Sequence, residues 1–321
     1  MPFLGKSLFL GLIASLLCLS TLGCKPSTNG GGQFTQFGKV RVIATYSILG
    51  DLVKNVAGDS TEVVVLVGPD GDAHTFDPTP QDGIALAEAG VVFENGGGFE
   101  TWLDKLYSSS GSKAQRFVVT TGLKLREGEG HKPGEEIEPG HKHEEDPHVW
   151  HDVKNAIHMV GIIRDRLVET DAAHAEQYRS NAAAYLAKLE TLDKWVVGQV
   201  ATLPAERRKL VTSHDTFGYF AQRYGFQIVG SALESVSTEA SDPSAAVFAK
   251  LVDTIKAAKV PAIFAENIHN PKLMERLAKE AGVRLAPPLV TDALTKPGEV
   301  GDSYESMVRH NVTTMVGALK P

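Results

Sequence analysis

The feature that most limits what this chain can fold into is an apolar stripe in its middle. Tyr178, Ala182, Tyr185, Leu189, Leu192, Val196, Val200 and Leu203 recur at spacings of three and four, which places them on one face of a helix. Asp171 stands where a cap belongs, and neither Gly nor Pro interrupts the pattern before Gly198 and Pro204. About 30 residues at ~1.5 Å each span roughly 45 Å, the length of a whole domain. A helix over 171–203 in mid-chain can act as a rigid spine between two lobes.

On both sides of the spine, strands and helices alternate. Before it, Val40–Ala44, Glu62–Val67, Val91–Phe93 and Phe117–Val119 read as strands, with helices after Ser47, after Gln81 and over Phe99–Tyr107. A further helix starts near Asp152 and runs to Glu169. After the spine, Lys209–Thr212, Gln227–Ser231, Ala262–Ala265 and a strand from Arg284 alternate with helices over Phe217–Tyr224, Ala245–Lys259, Pro271–Ala281 and Tyr304–Leu319. This is α/β grammar with mostly parallel sheets. The fold expected is two Rossmann-like lobes joined by one long rigid helix. Residues 39–170 form the first lobe, 171–203 the linking helix and 204–321 the second lobe.

Three histidines and an aspartate fall at corresponding places in this pattern. His74 lies on a loop after the second strand, between the corners Pro69, Gly71 and Pro78. His148 follows Asp146-Pro147 and precedes a helix; His214 follows a strand, and Asp292 follows the last strand. In open α/β sheets, ligands sit beyond the carboxyl ends of strands. Two lobes facing each other across a spine would bring all four groups into one interlobe cleft. Three imidazoles and a carboxylate suit Zn²⁺, and less strongly Mn²⁺ or Fe²⁺. Four protein donors with no open position suit holding an ion rather than using it. His151 and His158 read as solvent-facing or local.

Residues 127–146 break the alternation. They carry Glu127, Glu129, Glu135, Glu136, Glu138, Glu144 and Glu145 with His131, His141 and His143, and no apolar periodicity. They read as a mobile loop with some affinity for metal, the three histidines forming an auxiliary collecting tract.

The N-terminus has Lys6, an apolar run from Ser7 to Leu22, then Gly23 and Cys24. That is the pattern of a signal peptide, here 1–23. Leu22-Gly23-Cys24 resembles a bacterial lipobox, with Thr21 where Leu is usual. On that reading Cys24 is lipidated, Cys18 is removed, and 24–38, rich in Gly, Ser, Thr, Asn and Gln, is a flexible tether. Plain signal cleavage and a retained anchor remain the alternatives. A net charge of -7 without a Lys/Arg cluster disfavours nucleic acid. The sequence has no Walker A motif, so the chain does not itself hydrolyse ATP.

Several motifs in order resemble the metal-binding lipoproteins of bacterial ABC importers, the zinc/manganese solute-binding class called cluster A-I. They are Gly71-Asp72-Ala73-His74-Thr75-Phe76-Asp77-Pro78-Thr79-Pro80, Asn95-Gly96-Gly97-Gly98-Phe99-Glu100-Thr101-Trp102-Leu103, Asp146-Pro147-His148-Val149-Trp150, His214-Asp215-Thr216-Phe217-Gly218-Tyr219-Phe220, Phe264-Ala265-Glu266 and Asp292. The resemblance runs from Val40 to the C-terminus. It implies that His74, His148, His214 and Asp292 are the metal ligands, that the long helix links two lobes of limited motion, and that the protein is no enzyme. It also implies an extracytoplasmic monomer, lipid-anchored to a bacterial membrane, which captures Zn(II) and delivers it to a permease with a separate ATPase. A His at the third ligand position, His214, leans to zinc within that class. Manganese, or mixed zinc and manganese, is the alternative cargo. Two remoter readings are a surface adhesin with a structural metal and a zinc hydrolase with Glu266 as general base.

Overall fold

The computed structural model describes residues 35–36, 39–128, 145–233, 235–239 and 243–321. Cys24, His131, His141 and His143 lie outside them, as do the signal peptide and most of the expected tether. In chain order the elements are β1 (Thr35–Gln36), β2 (Lys39–Tyr46), α1 (Ser47–Ala57), β3 (Thr61–Val67), α2 (Pro80–Ala87), β4 (Val91–Glu94), α3 (Leu103–Ser110), β5 (Gln115–Val118), β6 (Arg126–Glu127), β7 (Glu145–Asp146) and α4 (Val153–Thr170). Then come α5 (Ala175–Val200), β8 (Lys209–Thr212), α6 (Gly218–Tyr224), β9 (Gln227–Ser231), α7 (Ala245–Ala258), β10 (Ala262–Glu266), α8 (Lys272–Ala281), β11 (Arg284–Leu289) and α9 (Tyr304–Leu319).

The α/β reading with mostly parallel sheets is borne out. β3, β2, β4 and β5 lie side by side in parallel. β8 pairs with β9 and β10 with β11, also parallel. These strands read as continuous apolar runs because helices cover both faces of a parallel sheet. Every residue of β4 and of β10 is buried. Two short antiparallel pairs complete the list of ladders among the described residues. Thr35–Gln36, inside the stretch read as tether, pair with the start of β2. Arg126–Glu127 pair with Glu145–Asp146, which ties together the two ends of the stretch read as a mobile loop.

The long helix is there as α5, 26 residues or roughly 39 Å. Its whole stripe from Tyr178 to Leu203 is buried, against α1, α4 and α9. It starts later than the periodicity suggests. Asp171 does not cap it; its carboxylate accepts from the Tyr178 hydroxyl at 2.6 Å and the His174 Nδ1 at 2.7 Å, and a 3₁₀ turn, Ala172–His174, intervenes. The chain from Gln33 to Pro321 is one compact unit. One contiguous apolar core runs from β2 through α5 to α9, and a smaller one lies beneath α7 and α8. No helix of the described residues is long and apolar enough to cross a membrane.

Candidate metal centre

Four loops at the carboxyl ends of strands supply the site. After β3 the chain turns at Asp70, whose φ is 57°, and the Gly71 N–H donates back to the Gly68 carbonyl at 3.1 Å. Asp72 then fixes the next residues: its Oδ1 accepts from the backbone N–H of His74 at 2.9 Å, and its Oδ2 from the Thr75 hydroxyl at 3.0 Å. The Trp102 indole N–H donates to the Ala73 carbonyl at 2.8 Å, and the Phe99 ring meets the His74 ring edge-on at 4.6 Å. Gly96, Gly97 and Gly98 all have positive φ, at 83°, 64° and 79°. That left-handed turn carries Phe99 back under the histidine.

His148 follows β7. Asp146 Oδ1 accepts from its backbone N–H at 3.0 Å and its ring Nδ1 at 2.9 Å. Asn95 clamps the turn by donating to the Pro147 carbonyl at 2.9 Å. His214 follows β8 and is held by Glu266 at the end of β10. Glu266 Oε1 accepts from the N–H groups of Ser213 and His214 at 2.8 and 3.0 Å, and Oε2 accepts from His214 Nδ1 at 2.5 Å. Asp292 follows β11 in a segment pinned by Asn311, which bonds both the N–H and the carbonyl of Val290, and by the Trp150 indole N–H on the Thr291 carbonyl at 3.0 Å.

These loops bring the predicted residues together. His148 Nε2 lies 3.2 Å from His74 Nε2 and 3.3 Å from His214 Nε2. Asp292 Oδ2 lies 3.1, 3.6 and 3.7 Å from the Nε2 atoms of His214, His74 and His148. His74 is 4% exposed and the other three are 0% exposed. A tetrahedral ion with donors at about 2.0–2.1 Å needs them roughly 3.3–3.4 Å apart, and the observed spacings bracket that value. The tautomers agree. A carboxylate only accepts, so in their neutral, ligating form His148 and His214 carry their protons on Nδ1 and turn Nε2 lone pairs inward. Lone pairs converging with a carboxylate oxygen that has no hydrogen-bond partner form a buried pocket that attracts a cation.

The electrostatics follow from that crowding. Burial alone would press His148 down, but Asp292 and Asp146 outweigh it and raise it to about 9. His214 is raised well above the ordinary imidazole range because Glu266 and Asp292 outweigh its burial. Burial would lift Asp292, yet His214 and His148 hold it well below the usual carboxylate range. At His74 burial prevails over Asp292, and the shift is downward.

Two residues fall differently from the sequence reading. His151 is not solvent-facing: it is 4% exposed, with Nε2 3.1 Å from the Thr216 hydroxyl, and burial pushes it down to about 3. Glu266 is not a free general base, since both its oxygens are taken by the His214 loop. The partners missed by sequence reading are Asp146 and Glu266. Asp146 had a signal in the Asp-Pro-His spacing; Glu266 had only its place at a strand end.

The model of the family described as zinc-uptake complex component A, periplasmic, matches residues 42–318. The manganese-binding lipoprotein MntA of Halalkalibacterium halodurans is 33% identical over 98% of this chain and 99% of its own length. The metal ABC transporter substrate-binding lipoprotein SloC of Streptococcus mutans is 32% identical over 95% of this chain and 97% of its own. Among solved structures, the periplasmic zinc binding protein TroA from Treponema pallidum superposes with a TM-score of 0.78 at 31% identity, covering 88% of this chain and 100% of TroA.

Proposed function

This chain belongs to the zinc-uptake complex component A family, and from that premise we propose that His74, His148, His214 and Asp292 hold one divalent transition-metal ion, zinc in preference to manganese, as cargo. The chain is a metal-binding substrate-binding protein of ABC importers, not an enzyme. The observation that carries the ligand assignment is the convergence of three imidazole nitrogens and one carboxylate oxygen, all within 4.8 Å of one another, in a buried pocket. An N-rich set of four donors favours zinc, which also stands above manganese in the general affinity order.

The protein works extracytoplasmically, tethered to a bacterial membrane through acylated Cys24, as a monomer that hands its ion to a permease served by a separate ATPase. The expected domains are those of the sequence: a lobe over 39–170, the linking helix over 171–203 and a lobe over 204–321. Ligand imidazoles must be neutral, so the ion competes with protons and affinity falls in acid. Manganese is the second reading, favoured by the name of the Halalkalibacterium relative.

Competitive titration of the full-length chain with Zn²⁺ and Mn²⁺, alongside His214→Ala, tests this. One tight site that prefers zinc and is lost in the variant is expected. Comparable affinity for both ions would move the cargo to the mixed reading, and absence of any tight site would end the ligand assignment.

A further inference from the structure

In the second half, the strands that lead to the metal centre start among lysines and arginines. β8 starts at Lys209 and leads to His214, β10 follows Lys259 and ends at Glu266, and β11 starts at Arg284 and leads to Asp292. Helices of α/β units run back against the strands, so their last turns finish beside the strand starts. Lys209 Nζ donates to the Ala258 carbonyl at 2.8 Å, at the end of α7, which carries Lys256 and Lys259. The Arg284 guanidinium donates to the Ala318 carbonyl at 2.7 Å, near Lys320. The Arg284 N–H reaches the Pro261 carbonyl at 3.3 Å, and the Val283 N–H the Ala278 carbonyl beside Lys279 at 3.0 Å. The fold thus assembles six cations from five separate segments of a chain whose net charge is -7. Part of this charge serves helix ends, where cations suit the dipole and the last carbonyls; Lys209 and Arg284 do that. Lys256, Lys259, Lys279 and Lys320 are exposed. None of the six pairs with a carboxylate among the described residues, and Glu280, beside Lys279, is taken by Arg276 at 2.8 Å. Lys259 has a φ of 53°, whereas the left-handed caps of α3, α6 and α8 are Gly111, Gly225 and Gly282. A Cβ is disfavoured there, so the needs of the helix end do not account for a lysine.

We propose that the face at the amino ends of β8, β10 and β11 rests on the membrane and binds the anionic headgroups of its lipids. The inference rests on the reading of the protein as tethered through Cys24, not on which ion it carries. The attachment of the chain favours a lipid surface. β1 lies beside the amino end of β2, and ten residues, 25–34, separate Thr35 from Cys24. Fully extended they reach roughly 35 Å. The carboxyl ends of the strands in both halves meet at the ion centre, so an anchor at Cys24 holds the opposite, amino ends near the bilayer. The spread of the charge favours it too. The cations lie along a row of strand starts and helix ends, which suits a field of headgroups more than a single bound anion.

The test uses the processed chain from residue 24 with Cys24→Ser, so that no acyl group contributes; it contains the whole compact unit from Gln33 to Pro321. Co-sedimentation is measured with vesicles of phosphatidylcholine alone and with about 30% phosphatidylglycerol, at about 50 mM and about 500 mM salt. Binding is expected on the anionic vesicles at low salt only. Lys256→Gln, Lys259→Gly and Lys279→Gln together should weaken it about 100-fold, or about fivefold for each charge. Lys105→Gln, Lys188→Gln and Lys272→Gln remove the same charge from α3, α5 and the first turn of α8 and should leave binding within about twofold. Thermal melting checks both triple variants. If the first does not fold, Lys259→Gly alone, which gives α7 the cap residue of its neighbours, must weaken binding about fivefold. No binding by the parent, equal losses in both triples, or release by inorganic phosphate at constant ionic strength, which would mark a site for a free anion, would overturn the proposal. Mass spectrometry of Cys24 in the unaltered chain reads the anchor by itself. An unacylated cysteine would end the anchor reading and the ground for this inference, whereas failure on vesicles with Cys24 acylated would overturn this inference alone.

Discussion

Glu266 grips His214 at two points, with Oε1 on its backbone N–H at 3.0 Å and Oε2 on its ring Nδ1 at 2.5 Å. One carboxylate thus fixes both where the imidazole starts and which way its Nε2 points. Glu266→Gln keeps the size but exchanges one acceptor oxygen for a donor amide, which cannot serve both bonds. Metal affinity should fall about 10–100-fold, the usual cost of removing a ligand's hydrogen-bond partner. Competition titration checks it, and an affinity within about twofold of the parent would show the grip to be dispensable.

His148 depends on a glycine it does not touch. A Cβ at Gly218 would stand 2.8 Å from Asp146 Oδ2 and 2.8 Å from Arg126 Nε. Asp146 is the acceptor for His148 Nδ1, so Gly218→Ala must displace the group that orients a ligand. A loss of affinity of roughly tenfold is expected. Metal titration of a variant whose melting temperature is retained is the measurement.

Asp72 joins the two halves. The carboxylate that sets the His74 turn also accepts from the Thr238 hydroxyl at 2.6 Å, across 166 residues of sequence. Thr238 lies in the 235–239 segment, whose Ser235 carbonyl accepts from the Asp215 N–H beside His214 at 3.0 Å. Thr238→Val removes one hydrogen bond, about 1 kcal/mol. The ion should leave about fivefold faster, read by stopped-flow release into a chelator, with the melting temperature nearly unchanged.

Glu100 gives the metal-free protein a pH dependence unconnected with the ligands. It is buried, accepts from the Thr45 hydroxyl at 2.6 Å and the Asn95 N–H at 2.8 Å, and burial outweighs these donors to raise it to about 7. The unfolded carboxyl titrates near 4.5. Between those values the folded state binds the extra proton, so the contribution of this group to stability is greatest below about pH 4.5 and falls as pH rises to about 7. The loss is of order 3 kcal/mol and is complete above that range. Glu100→Gln should flatten this fall, which denaturant melts at pH 5 and pH 8 would register as a smaller difference than in the parent chain.

The sequence disclosed the site further than the elements around it. Strand ends are marked by Pro, Gly and Asp, and His74, His214 and Asp292 follow strands as the sequence suggests, whereas His148 was placed only before a helix and the short strand β7 that precedes it was not foreseen. Which carboxylate holds which imidazole was not legible. Glu266 and His214 are 52 residues apart, and no local spacing links them. His151 was misjudged because a histidine beside a helix start is polar in sequence but here fills a space between Trp150 and Phe217. The helix expected over Phe99–Tyr107 begins only at Leu103. Glu100 accepts from the backbone N–H groups of Asn95 and Gly96, which holds residues 99–102 in a turn. Such side-chain-to-backbone competition leaves no mark on periodicity.

The larger of the two cores, which runs behind the site, has a consequence for how a docking partner can tell a loaded protein from an empty one. Apolar contacts continue from Val42 through Tyr178 and Leu189 to Met315 and Leu319. A wide swing of one half against the other would shear that continuity, and each large side chain wetted costs about 1.5–3 kcal/mol. A handful of them would consume the whole stability of an ordinary fold, about 5–15 kcal/mol. A wide swing across that core is therefore costly. If the two halves keep their places on loading, a docking partner would read loop posture at the rim rather than silhouette.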